Sequence, residues 1–430
     1  MKSLKRNLPR IVCGAVLLSG IAAVGARAQS LPPVRQIGKL ERVSSDSLGL
    51  LSARTAIALP GGRVMFDDLI GRRIVMLDSN LAHATVIADT TSATANAYGQ
   101  NFATLIHFRG DSALLIVPSM LSMFVIAPNG AIARTMAIPR PSDANLLFGR
   151  WAEPGLDAKE RLIYLGVANV LPGVMMLSGK IPVYSGGKPT AIGADLLSRM
   201  ARAGDTAVVV RADLASRALD TAAWVHVPKF HRQFATDAQG FSTAIETTPD
   251  PMPILDLWTV MRDGTVAIVR GIDLHIDWID ASGHVTASPK IPFAWKKADD
   301  ALKTQLVDST VKRWQSQFDE AMADGGRRGG GRSQGLQLVA KRPALTDLPD
   351  YVPPFAEHSV TSDDDDNVWI RTSDIVDGRP VYYVVNRQGA LIDRVQLPAF
   401  REVIGFGPGV IYMAVRRPDT KVHLERARVH

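Results

Sequence analysis

The sequence predicts an all-β fold made of repeated four-stranded units, and three observations carry that reading. The first is a repeated turn. APNGAIARTMAIP (Ala127–Pro139), DASGHVTASPKIP (Asp280–Pro292) and NRQGALIDRVQLP (Asn386–Pro398) each run from a turn through Gly and a strand-like segment to Pro, and the Gly-to-Pro spacing is nine in all three. The second is what precedes each turn: MFVI (Met123–Ile126), IDWI (Ile276–Ile279) and YYVV (Tyr382–Val385) are β-branched or aromatic, as strands of a half-buried sheet require. The third is a further strand upstream, as in TVAIVR (Thr265–Arg270) after Arg262-Asp263-Gly264 and VWIR (Val368–Arg371) after Asp366-Asn367. Antiparallel meanders of about four strands in about 40 residues, recurring along a chain, predict a β-propeller. A β-sandwich is the competing architecture, but it has no need of one hairpin repeated in successive units.

Taken in order, the units fall near residues 52–90, 100–140, 145–228, 253–292, 355–398 and 400–428. The last has about three strands, and the strand-like VRQIGKLERV (Val34–Val43) is expected to supply its fourth and close a six-bladed ring. Seven blades is the alternative count, because DTAVVVR (Asp205–Arg211) resembles GTVAIVR (Gly264–Arg270) and would split 146–228 in two. Each terminal Pro lacks an N–H and suits the end of an outermost strand, where the chain turns inward to the next unit.

Two segments interrupt the repeat. In 293–352, the spacing of Leu302, Leu306, Val307, Val311, Trp314, Phe318 and Met322 gives one apolar helical stripe, so a helix is expected over about 298–323, ended by Gly325 and Gly326. GGRRGGGRSQG (Gly325–Gly335) reads as a flexible linker. The other interruption, about 170–204, has little periodicity and suggests no chemistry.

The first 28 residues have the three-part layout of a secretory signal. MKSLKRNLPR is basic, Ile11–Val24 is apolar, and Ala26-Arg27-Ala28 forms a small-residue cleavage site. Fourteen weakly apolar residues fall short of the roughly 20 that span a bilayer. Cleavage after Ala28 would remove Cys13, the only cysteine, so the mature chain would have no thiol chemistry and no disulfide. It would also remove five of the 49 Lys and Arg and none of the 42 acids, leaving a net charge of +2 and little basis for nucleic-acid binding. The expected product is an exported, monomeric, periplasmic or extracellular single domain over 29–430.

With the strands placed, DLWTVMRDGTVAIVRGIDLHIDWIDASG (Asp256–Gly283) and DDDDNVWIRTSDIVDGRPVYYVVNRQGALIDRVQLP (Asp363–Pro398) carry a resemblance. The chain resembles six-bladed propellers of the broad NHL/TolB-like superfamily, of the exported bacterial type. The resemblance implies a ligand site at one mouth of the central channel. It brings no catalytic motif with it, and fold does not imply function.

Motif by motif, chemistry is sparse. There is no GxxxxGK[ST] phosphate loop and no GxSxG elbow. Asp363–Asp366 reads as the turn before a strand, not as a calcium loop with ligands at alternate positions. His226 and His231 have no recognised ligand spacing. Asp273, His275 and Asp277 alternate and share one strand face, which is better read as polar packing than as a metal or acid–base site. Trp151 and Trp258 fall on innermost strands, where core packing outweighs stacking on a sugar. One pattern stands out: Arg270, Arg371 and Arg416 recur at the ends of second strands, with Arg72 at the matching place in the first unit. Such a ring would take carboxylate or phosphate groups in bidentate hydrogen bonds. The alternative is that the arginines pair with Asp273, Asp374 and Asp419, each three residues on. The expected function is therefore non-catalytic binding of a protein, peptide or glycan, with an anion-binding mouth and no cofactor. The alternative is a metal-dependent hydrolase of the gluconolactonase-like propeller type, holding a divalent metal such as calcium.

Overall fold

In the computed structural model the described residues are 31–91, 96–98, 103–149, 152–166, 184–185, 188–189, 205–229, 231–236, 242–327, 337–416 and 422–430. The signal-like segment 1–28, Trp151, Asp419, nearly all of 170–204 and most of the Gly/Arg-rich stretch lie outside them.

Among the described residues, six sheets of four or five strands hold most of the strands. β1 (Val34–Gln36) and β2 (Leu40–Val43) come first and belong to the last two sheets. β3 (Ala56–Ala58), β4 (Val64–Asp68), β5 (Arg73–Leu77) and β6 (Ala84–Asp89) form the first sheet. β7 (Thr104–His107), β8 (Ala113–Val117), β9 (Ser122–Ile126) and β10 (Ile132–Ala137) form the second. The third takes β11 (Gly155–Leu156) and β12 (Arg161–Leu165), passes over the short pair β13 (Tyr184–Ser185) and β14 (Lys188–Pro189), and ends with β15 (Thr206–Asp213) and β16 (Leu219–His226). The described residues of 155–226 thus contribute one four-stranded sheet and the two-stranded pair β13–β14.

A small sheet that the repeat does not anticipate stands apart. It joins β17 (His231–Thr236), β18 (Ser242–Thr248) and the distant β23 (Gln337–Ala340), the last pairing parallel to β18. The fourth large sheet is β19 (Asp256–Val260), β20 (Val266–Arg270), β21 (His275–Ile279) and β22 (Val285–Ala287). The fifth is β24 (Phe355–Ser362), β25 (Val368–Val376), β26 (Arg379–Val385) and β27 (Leu391–Gln396). β28 (Arg401–Gly407), β29 (Val410–Val415) and β30 (His423–Arg428) make the sixth together with β2.

First strands meet around an axis. β28 packs beside β3, β7 beside β11, β11 beside β19, and β19 beside β24. β4 meets β7, and the rings of Trp369 and Phe406, 5.0 Å apart, join the fifth sheet to the sixth. Residues of all six first strands line one cavity of about 1500 Å³. This is the arrangement of a propeller, with sheets stacked face to face around a channel.

The side-chain period explains why second strands read as continuous apolar runs. Val64, Met65 and Phe66 of β4 are all buried. Met65, with Ile74, packs toward the second sheet, while Val64 and Phe66, with Val75, pack toward the sixth. Alternate residues point to opposite faces, and here both faces are covered.

The repeated turn joins the third and fourth strands of its sheet. Gly130, Gly283 and Gly389 have φ of 88°, 94° and 75°, a region that costs L residues and not glycine. Two of them also touch the preceding sheet. A Cβ on Gly130 would lie 2.5 Å from Ile87 Cδ1, and one on Gly389 would lie 2.3 Å from Ser288 Cβ. The nine-residue spacing from Gly to Pro is the length of the fourth strand and its exit.

Closure departs from the expectation for Val34–Val43. Only β2 joins the last sheet, antiparallel to β30, with Leu40 opposite Ala427 and Val43 opposite Glu425. β1 instead adds a fifth, parallel strand to the preceding sheet, with Val34 opposite Arg394. Between them the chain presses close to the sixth sheet: a Cβ on Gly38 would lie 2.7 Å from the Arg428 carbonyl oxygen. The ten residues read as one strand in the sequence because nothing local marks that crossing except Gly38.

Helix α1 runs over Asp300–Arg327 and so passes through Gly325 and Gly326, which were expected to end it. Asp299 caps it, accepting from Leu302 N at 2.8 Å. Its apolar stripe packs Leu302, Leu306, Val307 and Val311 against Met252, Leu345 and Leu348. Gln315 holds β23 by donating to Leu338 O and accepting from Ala340 N. No described helix is long and apolar enough to cross a membrane.

Candidate functional site

The channel has two mouths. The first strands start at one and end at the other. At the starting mouth the lining includes Ser52, Arg54, Glu153, His358, Glu402 and Arg416. At the ending mouth it includes His107, Arg109, Asp111, Glu160, Arg262 and Asp364.

The four predicted arginines lie where second strands give way to third strands, but they do not form one ring. Arg416, just after β29, lines the channel. It pairs with Glu402 at 3.2 Å and donates to Ala53 O at 3.1 Å. Arg72 lies in the turn after β4, exposed, with φ 52°. Arg371 is exposed on β25, which continues five residues past it to Val376. Neither Arg72 nor Arg371 has an ion-pair partner among the described residues.

Arg270 is engaged on both sides. It pairs with the fully buried Asp256 at 2.9 Å and with Asp277 at 2.8 Å, and donates to Trp224 O at 2.7 Å. The expected partners three residues on belong elsewhere. Asp273 pairs with His275 and Lys290, and Asp374 pairs with Arg394. Arg270→Ala leaves Asp256 a buried carboxylate without its guanidinium, held by the His226 ring at 2.8 Å and by the His226 and Gly271 N–H groups. The expected loss of stability is about 3 kcal/mol by urea unfolding.

A group at the starting mouth that no sequence motif marks is built around Arg54. The segment before β3 turns in over the end of β4, and the Arg54 and Thr55 N–H groups donate to Asp67 Oδ1 at 3.2 and 2.8 Å. The Arg54 side chain reaches across to Glu153 Oε1 at 2.9 Å and to the carbonyls of Phe148 and Gly149. It thereby ties the first sheet to the segment entering the third. Asp67 Oδ2 and Glu153 Oε2 are buried with no hydrogen-bond partner among the described residues. Burial, opposed by the Thr55 N–H, pushes the Asp67 carboxyl up to about 7, with the Glu153 charge adding to the rise. Burial likewise raises Glu153, against the pull of Arg54. Both shifts run toward the protonated form; Glu153 lines the channel, whereas Asp67 is buried and is not among the lining residues. The adjacent Asp68 is different. It is tied by Arg73 at 2.9 Å and by Ser52 N at 2.8 Å, a closed structural knot. The doublet Asp67-Asp68 after an apolar strand was the available sequence signal. Arg54 and Glu153, 99 residues apart, gave none.

β24 supplies the channel's irregular wall. Its register with β25 shifts between Phe355 and Val360, and His358 in that bulge has φ 54° and lines the channel. Bulges of this kind re-aim side chains.

At the ending mouth, charges pair between sheets. Arg262 meets Asp364 at 3.1 Å, Arg109 meets Glu160, and Arg387 meets Asp263 at 2.5 Å. Burial lowers His107 and Arg262 lowers it further, while burial raises Asp364. The Asp363–Asp366 run is the turn it was read as: Asp363 Oδ1 accepts from Asp365 N and Asn367 N, and Oδ2 from Trp369 Nε1.

Of the remaining candidates, His275 does sit between its neighbours, 2.6 Å from Asp273 and 3.3 Å from Asp277. His226 is bound to Asp256 instead of to His231. Trp258 is 2 % exposed and packs in the core. Among the described residues no group of three or more His, Cys, Asp or Glu side chains is placed to hold a metal ion.

No protein-family model matches the chain, and no curated protein matches it. Solved structures do. It is similar to virginiamycin B lyase from Staphylococcus aureus at 10% identity, over 90% of this chain and 99% of that one, with a TM-score of 0.36. A gluconolactonase from Xanthomonas campestris matches at 8% identity, over 93% and 99%, with a TM-score of 0.38. A putative exported protein from Bacteroides fragilis matches at 9% identity, over 93% and 100%, with a TM-score of 0.39.

Proposed function

We propose that this protein is an exported, six-bladed, non-catalytic propeller that binds an anionic protein, peptide or glycan group at the starting mouth of its channel. The observation that carries this reading is the pair Arg72 and Arg371, exposed beside second-to-third-strand crossings with no ion-pair partner among the described residues. Of Arg72, Arg371 and Arg416, only Arg416 lines the channel itself, and among the described residues its ion-pair partner is the part-exposed Glu402. Guanidinium groups that no protein carboxylate neutralises are suited to a ligand carboxylate or phosphate. Arg270 drops out of the ligand set, since two carboxylates already hold it.

Calorimetric titration with citrate, inorganic phosphate and a short polyglutamate peptide tests this at about 20 and 200 mM salt. Binding of at least one is expected, falling with salt. Arg72→Ala and Arg371→Ala should each weaken it several-fold and leave the melting temperature unchanged. Absence of binding to all three, or binding indifferent to both substitutions, overturns the anion reading.

A further inference from the structure

The inserted segment 293–353 builds a second recess, away from the channel. Two of its arms run side by side: Lys297 bridges to Tyr351, Ala298 N donates to Asp350 O at 2.8 Å, and Val352 N donates to Lys296 O at 2.9 Å. This ladder sits against the turn after β20. Ile254, Ile272, Trp295, Pro349, Asp350 and Tyr351 line a pocket of about 390 Å³ between them. That volume lies within the range of small-molecule sites, roughly 300–1000 Å³.

Its lining is unusual for a surface. Ile272 is 62 % exposed, Tyr351 50 % and Trp295 39 %. Three large apolar side chains held in water around one recess mark a binding surface. The indole is also pre-positioned. Trp295 packs edge-on to Phe293, with centroids 5.2 Å apart, and Phe293 in turn packs edge-on to the buried Tyr383 at 5.9 Å. The single charged lining residue is Asp350, whose side chain is 81 % exposed. Lys303 reaches its Oδ1 only at 3.5 Å and donates to Leu348 O as well.

The chemistry of that lining selects its occupant. An anion would meet the Asp350 carboxylate. A neutral sugar needs several directed hydrogen bonds, and a wall of Ile, Trp and Pro side chains offers few. A purely apolar group would leave the Asp350 charge unanswered. A primary ammonium would lose its hydration to aromatic walls. An alkylated ammonium carries positive charge on an apolar surface, and so suits both the ring faces and the carboxylate. We propose that this pocket binds a small alkylated ammonium group of the choline type, presented by Trp295 and Tyr351 and balanced by Asp350.

Choline and its neutral carbon isostere 3,3-dimethylbutan-1-ol separate charge recognition from simple filling. Each is titrated into the intact protein while tryptophan fluorescence is followed, with glucose as a third probe. Choline is expected to saturate the signal and to bind about tenfold more tightly than the isostere. Trp295→Ala should abolish the response. Asp350→Asn, whose amide oxygen can still accept from Lys303, should weaken choline several-fold and spare the isostere. Equal binding of choline and the isostere, preference for glucose, or no saturable response to choline overturns the proposal.

Discussion

Deleting residues 29–44 is expected to abolish the single cooperative melting transition and to yield a chain that aggregates on mild warming. The segment does more than add one strand. β2 covers β30, and β1 covers β27 of the neighbouring sheet. Val34 packs against the core beneath the fourth and fifth sheets, and Ile37 against the core between the fifth and sixth. Arg35 pairs with Asp393 at 2.6 Å, and Glu41 pairs with Arg426 and Arg428. Gln396, 0 % exposed, loses the Gln36 side chain that hydrogen-bonds it at 2.9 Å. Backbone pairing at about 1 kcal/mol per bond, with this apolar burial, amounts to on the order of 10 kcal/mol, comparable to the whole stability of a domain. Two sheet edges would also stand open to other chains. Calorimetry and light scattering of the truncated protein check this. A transition matching the parent in midpoint and sharpness would show that the ring does not depend on the segment.

The second large effect is a loss of stability as pH rises, centred on Asp67. Its folded-state carboxyl holds a proton up to about 7, while the unfolded chain releases it near 3.8. Between those values the folded state binds more protons than the unfolded state, so stability falls with increasing pH until about 7 and is level above it. The full change is about 4 kcal/mol for a shift of this size. Asp67→Asn keeps an oxygen for the Arg54 and Thr55 N–H groups and removes the titration. Its advantage over the parent should be absent near pH 4 and grow to several kcal/mol by pH 8, in urea unfolding at each pH. Parallel pH profiles for the two proteins would show that Asp67 is ionised throughout.

What the sequence disclosed depended on range. The turn glycines, the β-branched runs before them and the closing prolines are local, and the hairpins between third and fourth strands stand where Gly130, Gly283 and Gly389 put them. The same local logic recovered a helix from the Leu302–Val311 stripe. It failed where partners are distant. Nothing in Ser242–Thr248 signals a parallel partner at Gln337–Ala340. The arginine ring was inferred from strand position alone. Position places Arg270, Arg371 and Arg416 near comparable crossings, but only what stands on the neighbouring strands decides that Arg270 is held by Asp256 while Arg371 is not. Arg54, Asp67 and Glu153 meet through the fold, and no spacing could have announced them.

Closure by β2 also has a consequence for the order of events in folding. The contact between Glu41 and Arg426 spans 385 residues of sequence, whereas each hairpin closes within a few. Loop-closure entropy defers such a contact until the intervening sheets have already shortened the path between its ends. The seam between β2 and β30 is therefore the last part to zip and the first to open. Up to that moment the chain is an open arc of stacked sheets with an unclaimed edge at each end.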